Sequence, residues 1–224
     1  MNLHRRCNMG FLSTLMDLLF PPKCVFCGRI LHDKDDLWCN KCVESLPFTL
    51  NGGRQDGVYY DYCISPLYYK GAVRRSILRF KFRGASSYAA VYGKILAECI
   101  REQPDVVYDF ISWVPLSSKR KRSRGYDQAM LLAMATALEL GDVAVETLNK
   151  PRDIRAQSEL GGAAERRENI SGAYEAVDPE LIVGKCVLLI DDIVTTGSTL
   201  DECAGVLLAS GASSVICAAL ARGE

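Results

Sequence analysis

Short apolar runs alternate along the chain with longer segments whose apolar residues recur at helical spacing. The apolar runs predict strands within residues 62–69 and at 110–114, 186–190 and 215–220. The helical spacing predicts helices at residues 71–82, 86–101, 126–140 and 200–209. Strands that alternate with helices imply right-handed crossovers and a parallel sheet covered on both faces. We therefore predict an α/β fold for the larger part of the chain.

The beginning of the chain predicts two smaller parts. Apolar residues recur at helical spacing within residues 1–20, which predicts an amphipathic helix. A signal peptide is a poorer interpretation, because Asp17 interrupts the apolar stretch and no small-residue cleavage site follows. Residues 21–50 carry two cysteine pairs, and the glycine-rich stretch 51–57 reads as a linker to a domain at 58–224. No stretch approaches the roughly 18 apolar residues of a membrane span.

The two cysteine pairs predict a metal site. Cys24 and Cys27 form one C-x-x-C pair, Cys39 and Cys42 form another, and eleven residues separate the pairs. Zinc takes four thiolates in a tetrahedron, and each pair supplies two of them from one turn, so we predict a structural Zn²⁺. Disulfides are the alternative, but they require an export signal that the sequence lacks. The other six cysteines stand singly, which indicates a reducing cytosol and a cytoplasmic protein.

Composition agrees with a soluble protein and limits the function classes. The chain has 224 residues, of which 49% are hydrophobic and 24% charged, with 27 acidic and 27 basic side chains. One main domain with a small module fits this length. The balanced charge argues against a protein built wholly to coat nucleic acid, although it leaves room for a local basic path.

The most specific chemistry lies in residues 187–199, which read Val-Leu-Leu-Ile-Asp-Asp-Ile-Val-Thr-Thr-Gly-Ser-Thr. An apolar strand leads through Asp191 and Asp192 into a loop of small hydroxyl residues, and a predicted helix follows. Unpaired N–H groups and the positive end of the dipole at a helix start can receive a phosphate. The two carboxylates suit the vicinal hydroxyls of a ribose, with Mg²⁺ offsetting charge. The segment therefore predicts a site for a ribose 5-phosphate.

Two other interpretations of this segment remain open. The acidic pair could belong to a Walker-B-like strand, or the loop could be an ordinary helix cap. The sequence contains no G-x-x-x-x-G-K-[ST] loop to complete a P-loop site and no G-x-G-x-x-G for a dinucleotide site, which favours the ribose phosphate interpretation.

The thirteen residues resemble the signature of the type I phosphoribosyltransferases, glycosyltransferases with a parallel sheet and helices on both faces. The resemblance implies that Asp191 and Asp192 hold the ribose hydroxyls of phosphoribosyl pyrophosphate (PRPP) and act in catalysis, with Mg²⁺ as cofactor. It implies that PRPP also contacts the rest of the motif: Ile193, Val194, Thr195, Thr196, Gly197, Ser198 and Thr199.

Three further segments narrow the resemblance to one family. They are Phe-Lys-Phe-Arg-Gly at 80–84, the basic run 119–124 with Gly125-Tyr126-Asp127-Gln128-Ala129 after it, and residues 148–174 with Gln157, Leu160, Arg166, Asn169, Gly172, Ala173 and Tyr174. With the cysteine pairs, they resemble the ComF family, phosphoribosyltransferase-like proteins of natural competence. The resemblance implies a role in the uptake and handling of transforming single-stranded DNA, with the competence helicase or translocase as a partner.

The chain departs from the ComF pattern at three positions. Asp127 stands where the family more often has Asn, Lys150 where Arg is usual, and Ile154 where Thr is common. The first two changes are mild, whereas the third removes a hydroxyl group. The acidic pair and its loop are intact.

A phosphoribosyl transfer site needs positive charge where pyrophosphate leaves. Under the resemblance, Lys81, Phe82, Arg83 and Gly84 bind this part of PRPP, and Lys81 acts in catalysis. The basic run at 119–124 suits a flexible lid, in which Arg124 is the catalytic candidate. A solvated basic surface is the alternative interpretation of each cluster.

Two further functions compete with transfer. Arg75, Arg79 and Arg83 recur every four residues near Tyr68, Tyr69, Phe80 and Phe82, a pattern that suits single-stranded DNA binding by the uptake machinery. Alternatively, the protein is a regulator that binds PRPP without turnover. No pattern identifies the acceptor of the phosphoribosyl group, and a homodimer is an expectation from the superfamily alone.

Overall fold

The computed structural model describes residues 21–31, 38–151 and 172–224 and divides the chain into two units, Met1–Leu46 and Pro47–Glu224. Several predictions lie outside the described residues: the helix at 1–20, and Ile154, Gln157, Leu160, Arg166 and Asn169 of the motif segment. No helix in the described ranges is long and apolar enough to cross a membrane.

A tight turn and a short helix form the described part of the first unit. Lys23 and Ile30 form an antiparallel bridge around the turn that carries the first cysteine pair. Gly28 takes φ +77° in this turn, a left-handed conformation that glycine adopts without strain, and its N–H donates to the Cys24 carbonyl at 2.8 Å. Helix α1, Asn40–Ser45, follows and carries Cys42 on its buried side.

The second unit contains seven strands and five helices within its described residues. The strands are β1 Cys63–Ile64, β2 Leu67–Tyr68, β3 Phe110–Trp113, β4 Leu148–Asn149, β5 Glu175–Ala176, β6 Cys186–Val194 and β7 Ser214–Arg222. The helices are α2 Gly71–Phe82, α3 Tyr88–Arg101, α4 Ser118–Arg124, α5 Gln128–Leu140 and α6 Ser198–Ala209.

Five of these strands form one parallel sheet in the order β1-β7-β6-β3, with β2 also paired to β7. Both β1 and β2 pair with β7, at successive positions along it. Ser65 and Pro66 separate them, because proline has no N–H to donate to the ladder. The short strands β4 and β5 pair antiparallel in a second sheet, which the sequence did not predict. The predicted α/β fold with a parallel sheet is confirmed.

Alternate residues of the central strands face two helical layers. Val187, Leu189 and Cys217 pack with Cys203 and Leu207 of α6 on one face. On the other face, α3 and α5 pack on each other and against β6 and β7, over side chains that point the opposite way along the same strands. Val187 to Ile190 are fully buried because both faces of β6 are covered.

Two boundaries differ from the predicted elements for physical reasons. Strand β6 continues beyond Ile190 to Val194, because β7 extends alongside it and pairs Asp191 with Ala219 and Val194 with Arg222. The acidic pair therefore lies within the strand rather than after it. Helix α6 begins at Ser198, two residues earlier than predicted, directly after Gly197.

The basic run, for which the sequence suggested a flexible lid, is helical. The Ser117 side chain accepts a hydrogen bond from the Arg120 N–H at the start of α4, and Gly125, at φ +83°, ends it. A serine cap and a left-handed glycine are the usual signals for the two ends of a helix.

Candidate functional site

Asp191 and Asp192 stand near the carboxyl end of β6, and neighbouring residues on a strand face opposite sides of the sheet. Asp192 faces the side of α2, where Lys81 Nζ lies 2.8 Å from its Oδ1 atom. Asp191 shares its side of the strand with Leu189, toward α6. The Asp192 N–H donates to Asp191 Oδ1 at 2.7 Å, which fixes the Asp191 carboxylate against the strand.

Lys81, Arg124 and Asp192 form the charged centre of the site. The side chains of Lys81 and Asp192 are 18% and 10% exposed, so their ion pair is largely shielded from water. Burial lowers the pKa of Arg124, and the negative charge of Asp192 partly offsets that effect. Arg124 Nη1 donates to Gln128 Oε1 at 2.7 Å, and its guanidinium carbon lies 4.8 Å from the centroid of the Phe82 ring.

Two aromatic contacts explain how the end of α2 reaches this centre. The Tyr126 hydroxyl donates to the Phe80 carbonyl, and the two rings lie 5.8 Å apart. Phe80 is fully buried, which anchors the last turn of α2 next to the loop that follows Arg124. Phe80 and Tyr126 are far apart in the sequence, so the sequence alone does not predict this contact, which the fold creates.

The electrostatic surroundings of Asp191 disfavour its charged form. Burial raises the pKa of Asp191 to about 8, the negative charge of Asp192 adds to the shift, and the positive charge of Lys81 opposes it. A cation or a hydrogen-bond donor that arrives beside Asp191 would reverse this effect. The strand therefore holds a carboxylate whose ionisation depends on what occupies the site.

The hydroxyl loop connects the acidic pair to the start of α6. Thr195, Thr196 and Thr199 are exposed, while Gly197 is buried and takes φ +79°. Thr196 Oγ1 and Ser198 Oγ lie 2.9 Å apart. The N-cap residue, Gly197, has no side chain to cap α6, and Thr196 Oγ1 accepts the Ser198 N–H at 3.4 Å, so the first turn of the helix is open toward the hydroxyl loop. This arrangement can receive an anion.

The structure does not bring every predicted residue into this cluster. Arg83 and Gly84 are exposed beyond the end of α2, and Gly84 takes φ +65° in the turn that follows. Phe82 is 63% exposed, and its ring lies 4.8 Å from the Arg124 guanidinium carbon. Residues 119–122 are exposed along α4.

A second polar cluster lies on the Asp191 side of the sheet and was not predicted as a site. Lys150 Nζ donates to Tyr174 Oη at 2.8 Å, and Glu202 of α6 accepts the Ala173 N–H at 3.1 Å. Burial raises the pKa of Tyr174, with smaller contributions from the charges of Cys203 and Asp191. Lys150 and Tyr174 are positions of the family pattern, whereas Glu202 lies in a helix and gives no sequence signal.

Tyr60 and Asp201 are also absent from the predicted site. Asp201, in the first turn of α6, accepts the N–H groups of Val58 at 2.6 Å and Tyr59 at 3.0 Å. Tyr60 is buried beside Gly197 of the hydroxyl loop. Nothing in the local pattern of residues 55–60 indicates that this segment lies against a motif more than a hundred residues away.

The four paired cysteines meet in the first unit. The sulfurs of Cys24, Cys27, Cys39 and Cys42 all lie within 4.8 Å of one another. Cys27 and Cys39 Sγ are 3.7 Å apart, close to the roughly 3.8 Å edge of a tetrahedron with Zn–S bonds of about 2.3 Å. A disulfide bond of about 2.05 Å is much shorter. The donor set therefore fits a tetrahedral Zn²⁺.

Family models match both units. A model described as phosphoribosyl transferase domain matches residues 127–224, and one described as double zinc ribbon domain matches residues 15–53. The ribbon match and the four-sulfur geometry together support a structural Zn²⁺. The parallel sheet, the acidic pair and the hydroxyl loop thus define a protein with a phosphoribosyltransferase-type domain and a zinc ribbon.

Curated relatives narrow this class. The chain is 30% identical over 200 residues to the DNA utilization protein YhgH of Salmonella typhimurium, covering 86% of each chain. It is 27% identical to Competence protein F of Haemophilus influenzae, over 89% of this chain and 96% of the relative. It is 29% identical to Competence protein ComFC of Bacillus subtilis, over 84% and 72%. The chain belongs to the ComF family of competence and DNA utilization proteins.

Solved structures also resemble part of the chain. The structure of the allosteric regulatory enzyme of purine biosynthesis aligns with a TM-score of 0.42 and 25% identity, over 60% of this chain and 25% of that one.

Proposed function

We propose that the protein binds PRPP with Mg²⁺ and acts in natural competence, in the uptake and handling of transforming single-stranded DNA. The observation that carries the binding proposal is the ion pair between Lys81 and Asp192, which places a cation and a carboxylate near the end of β6, the strand that leads through the hydroxyl loop into α6. The names of the relatives, competence and DNA utilization proteins, support the biological role.

In this proposal each part of the site binds a different part of PRPP. The start of α6 and the hydroxyls of Thr195, Thr196 and Thr199 receive the 5-phosphate. The acidic pair accepts hydrogen bonds from the ribose hydroxyls. The oxygen donors of the ligand and the negative charge of the pair suit Mg²⁺, which offsets the charge of the pyrophosphate when bound.

Lys81 and Arg124 stabilise the negative charge of the leaving group, pyrophosphate. When the bond between C1 and the pyrophosphate oxygen breaks, its electron pair goes to that oxygen, and an acceptor nucleophile forms the new bond to C1. Positive charge that is already in position stabilises the departing pyrophosphate without reorganisation. Lys81 then exchanges its contact with Asp192 for one with the phosphate oxygens.

Calorimetry of the zinc-loaded protein with PRPP and Mg²⁺ tests the binding proposal. We expect saturable binding by the wild type, and a decrease in affinity of about 100-fold or more in a variant with Asp191→Asn and Asp192→Asn, which keeps the side-chain shapes. Asp178→Asn is the matched control, because Asp178 is exposed on a turn before β6 and its φ of +47° suits asparagine. Absence of binding by the wild type would contradict the proposal.

Release of pyrophosphate separates a transferase from a regulator. An enzyme releases pyrophosphate from PRPP in the presence of its acceptor, whereas a regulator binds PRPP and leaves it intact. We propose the transferase first, because Lys81 and Arg124 supply the positive charge that a departing pyrophosphate needs. Binding without release across a panel of nucleobases and amines would favour the regulator.

Direct binding of single-stranded DNA is a second candidate function. Four consecutive basic residues at 119–122 are exposed on α4, and the Phe82 ring is 63% exposed nearby, in contact with Arg124. Exposed cations beside an aromatic face suit a strand of stacked bases.

Fluorescence anisotropy with labelled oligothymidine at several salt concentrations tests this candidate. Replacing Lys119, Arg120, Lys121 and Arg122 with glutamine should reduce the slope of log affinity against log salt by about 0.7 for each phosphate that these side chains neutralise in the wild type. The Asp191→Asn, Asp192→Asn variant should bind the oligonucleotide as the wild type does. An unchanged slope in the glutamine variant would exclude α4 from a DNA site.

A further inference from the structure

Tyr60 carries a buried hydroxyl group that has no partner in the described part of the chain. Its side chain is 3% exposed, and Oη makes no hydrogen bond to any described residue. Buried hydroxyls in native proteins nearly always have a partner, and one without a partner calls for an explanation. Phenylalanine would fill the same space without leaving a polar group unpaired.

This hydroxyl lies against the hydroxyl loop. A Cβ atom built on Gly197 would stand 2.4 Å from Tyr60 Oη and 3.4 Å from Gln55 Nε2. Gly197 is the residue at which the chain turns into α6, with φ +79°. Tyr60 therefore places an unpaired hydroxyl against Gly197, the residue directly before the first turn of α6.

The backbone around Tyr60 is fixed to the same helix. Asp201, one turn into α6, accepts the N–H groups of Val58 and Tyr59 at 2.6 and 3.0 Å. The Asp61 N–H donates to the Val215 carbonyl at 2.9 Å, which ties the far side of Tyr60 to β7. The ring is held in position before any ligand arrives, and because its oxygen is shielded from solvent, the loop at Gly197 must shift to admit a phosphate oxygen.

We propose that the Tyr60 hydroxyl donates a hydrogen bond to the phosphoryl group bound at the start of α6, which makes Tyr60 a phosphate-binding residue outside the motif. This inference rests on the proposed function. Burial raises the pKa of Tyr60, so the phenol keeps its proton and remains a donor at neutral pH. A phosphate oxygen supplies the acceptor that the hydroxyl lacks.

The test compares Tyr60→Phe with Tyr59→Phe, which removes the same atom from a neighbouring ring that is 56% exposed. Calorimetry measures the binding of PRPP, ribose 5-phosphate and pyrophosphate, each with Mg²⁺. We expect Tyr60→Phe to bind PRPP and ribose 5-phosphate about 10-fold more weakly than the wild type. Its affinity for pyrophosphate should stay unchanged, and Tyr59→Phe should match the wild type with all three ligands.

Thermal unfolding completes the test. Because Tyr60→Phe removes an unpaired buried hydroxyl, we expect its melting temperature to equal or exceed that of the wild type, so weaker binding would not reflect a damaged fold. Equal affinity of Tyr60→Phe and wild type for ribose 5-phosphate would overturn this inference alone. Failure of the wild type to bind either PRPP or ribose 5-phosphate would overturn the proposed function and this inference with it.

Discussion

At the scale of single residues, Asp191 links the stability of the fold to pH. Its folded-state pKa of about 8 lies far above the ordinary value of 3.8, because of burial and the neighbouring charge of Asp192. Between these two pH values the folded state binds the proton more tightly than the unfolded state does. The free energy of unfolding therefore falls as pH rises from about 4 to about 8.

Asparagine at position 191 cannot ionise, so it should remove the loss of unfolding free energy that accompanies ionisation of Asp191. We expect Asp191→Asn to raise the free energy of unfolding by about 1–2 kcal/mol at pH 8 and to leave it almost unchanged at pH 4, since Asn Oδ1 can still accept the Asp192 N–H. Urea unfolding at the two pH values measures this difference. A variant less stable than the wild type at pH 8 would show that the ionised carboxylate is well accommodated.

Asp127 has a structural role that explains one departure from the family pattern. Its Oδ1 accepts the Met130 N–H at 3.2 Å and caps α5, while Oδ2 accepts the Leu116 N–H at 2.9 Å. Asparagine has only one acceptor oxygen, so its amide group would face one of these N–H donors. We expect Asp127→Asn to lower the free energy of unfolding by about 1 kcal/mol in urea titrations. An unchanged midpoint would mean that the loop before α4 adjusts.

At the scale of elements, close packing of α3 on α5 depends on Gly93. A Cβ at Gly93 would lie 2.6 Å from Ala135 Cβ and 2.8 Å from the Thr136 backbone nitrogen. Alanine has the better helix propensity by about 1 kcal/mol, but it would force the two helices apart. The steric clash with α5 should cost more free energy than the helix propensity of alanine gains, because backbone atoms cannot move away as a side chain can.

Two glycine-to-alanine changes separate these effects. We expect Gly93→Ala to lower the free energy of unfolding by about 1–3 kcal/mol. Gly205→Ala in α6 is the matched control, since its Cβ would make an ordinary 3.5 Å contact with the Tyr59 ring and should stabilise by up to about 1 kcal/mol. Thermal unfolding of both variants measures the difference, and a stabilised Gly93→Ala would contradict the packing argument.

The elements that the sequence predicted well are those with long, regular patterns. Helices α2 and α3 begin and end within two residues of their predicted bounds, because apolar spacing alone determines which face is buried. The end of β6 was predicted too early, since its length depends on its neighbour β7. Helix α4 was missed because a run of exposed cations has no apolar face, and only its caps mark it.

At the scale of the whole molecule, the two units rely on different sources of stability. The second unit buries apolar residues on both faces of a sheet, whereas the described part of the first unit buries only a few side chains, among them Phe26, Cys24 and Cys42. Small modules of this kind usually need a metal to fold. Zinc therefore supplies stability that the first unit cannot obtain from a core.

Removal of zinc should act on the first unit. We expect Cys24→Ser to lose bound zinc, measured by atomic emission, and to expose the first unit to limited proteolysis. Cys186→Ser is the matched control, because Cys186 lies in β6 of the second unit, and this variant should retain zinc. Full zinc occupancy in Cys24→Ser would contradict the four-thiolate site.

The charged centre of the candidate site could be anticipated from the sequence more fully than its surroundings. Lys81, Arg124 and Asp192 were singled out because phosphate chemistry needs those residue types, and the structure brings them together. Tyr60 could not be found in this way, since an isolated tyrosine in a loop has no pattern. Its position depends on the pairing of distant strands.

The opposite orientations of Asp191 and Asp192 predict a mechanical effect for the ribose that we propose at this site. One carboxylate faces the layer of α6, and the other contacts α2 through Lys81. A sugar that engages both would couple motions of the two layers through β6, so amide hydrogen exchange would slow on both sides of the sheet together. Occupancy of the site would then be communicated across the domain without any change in its fold.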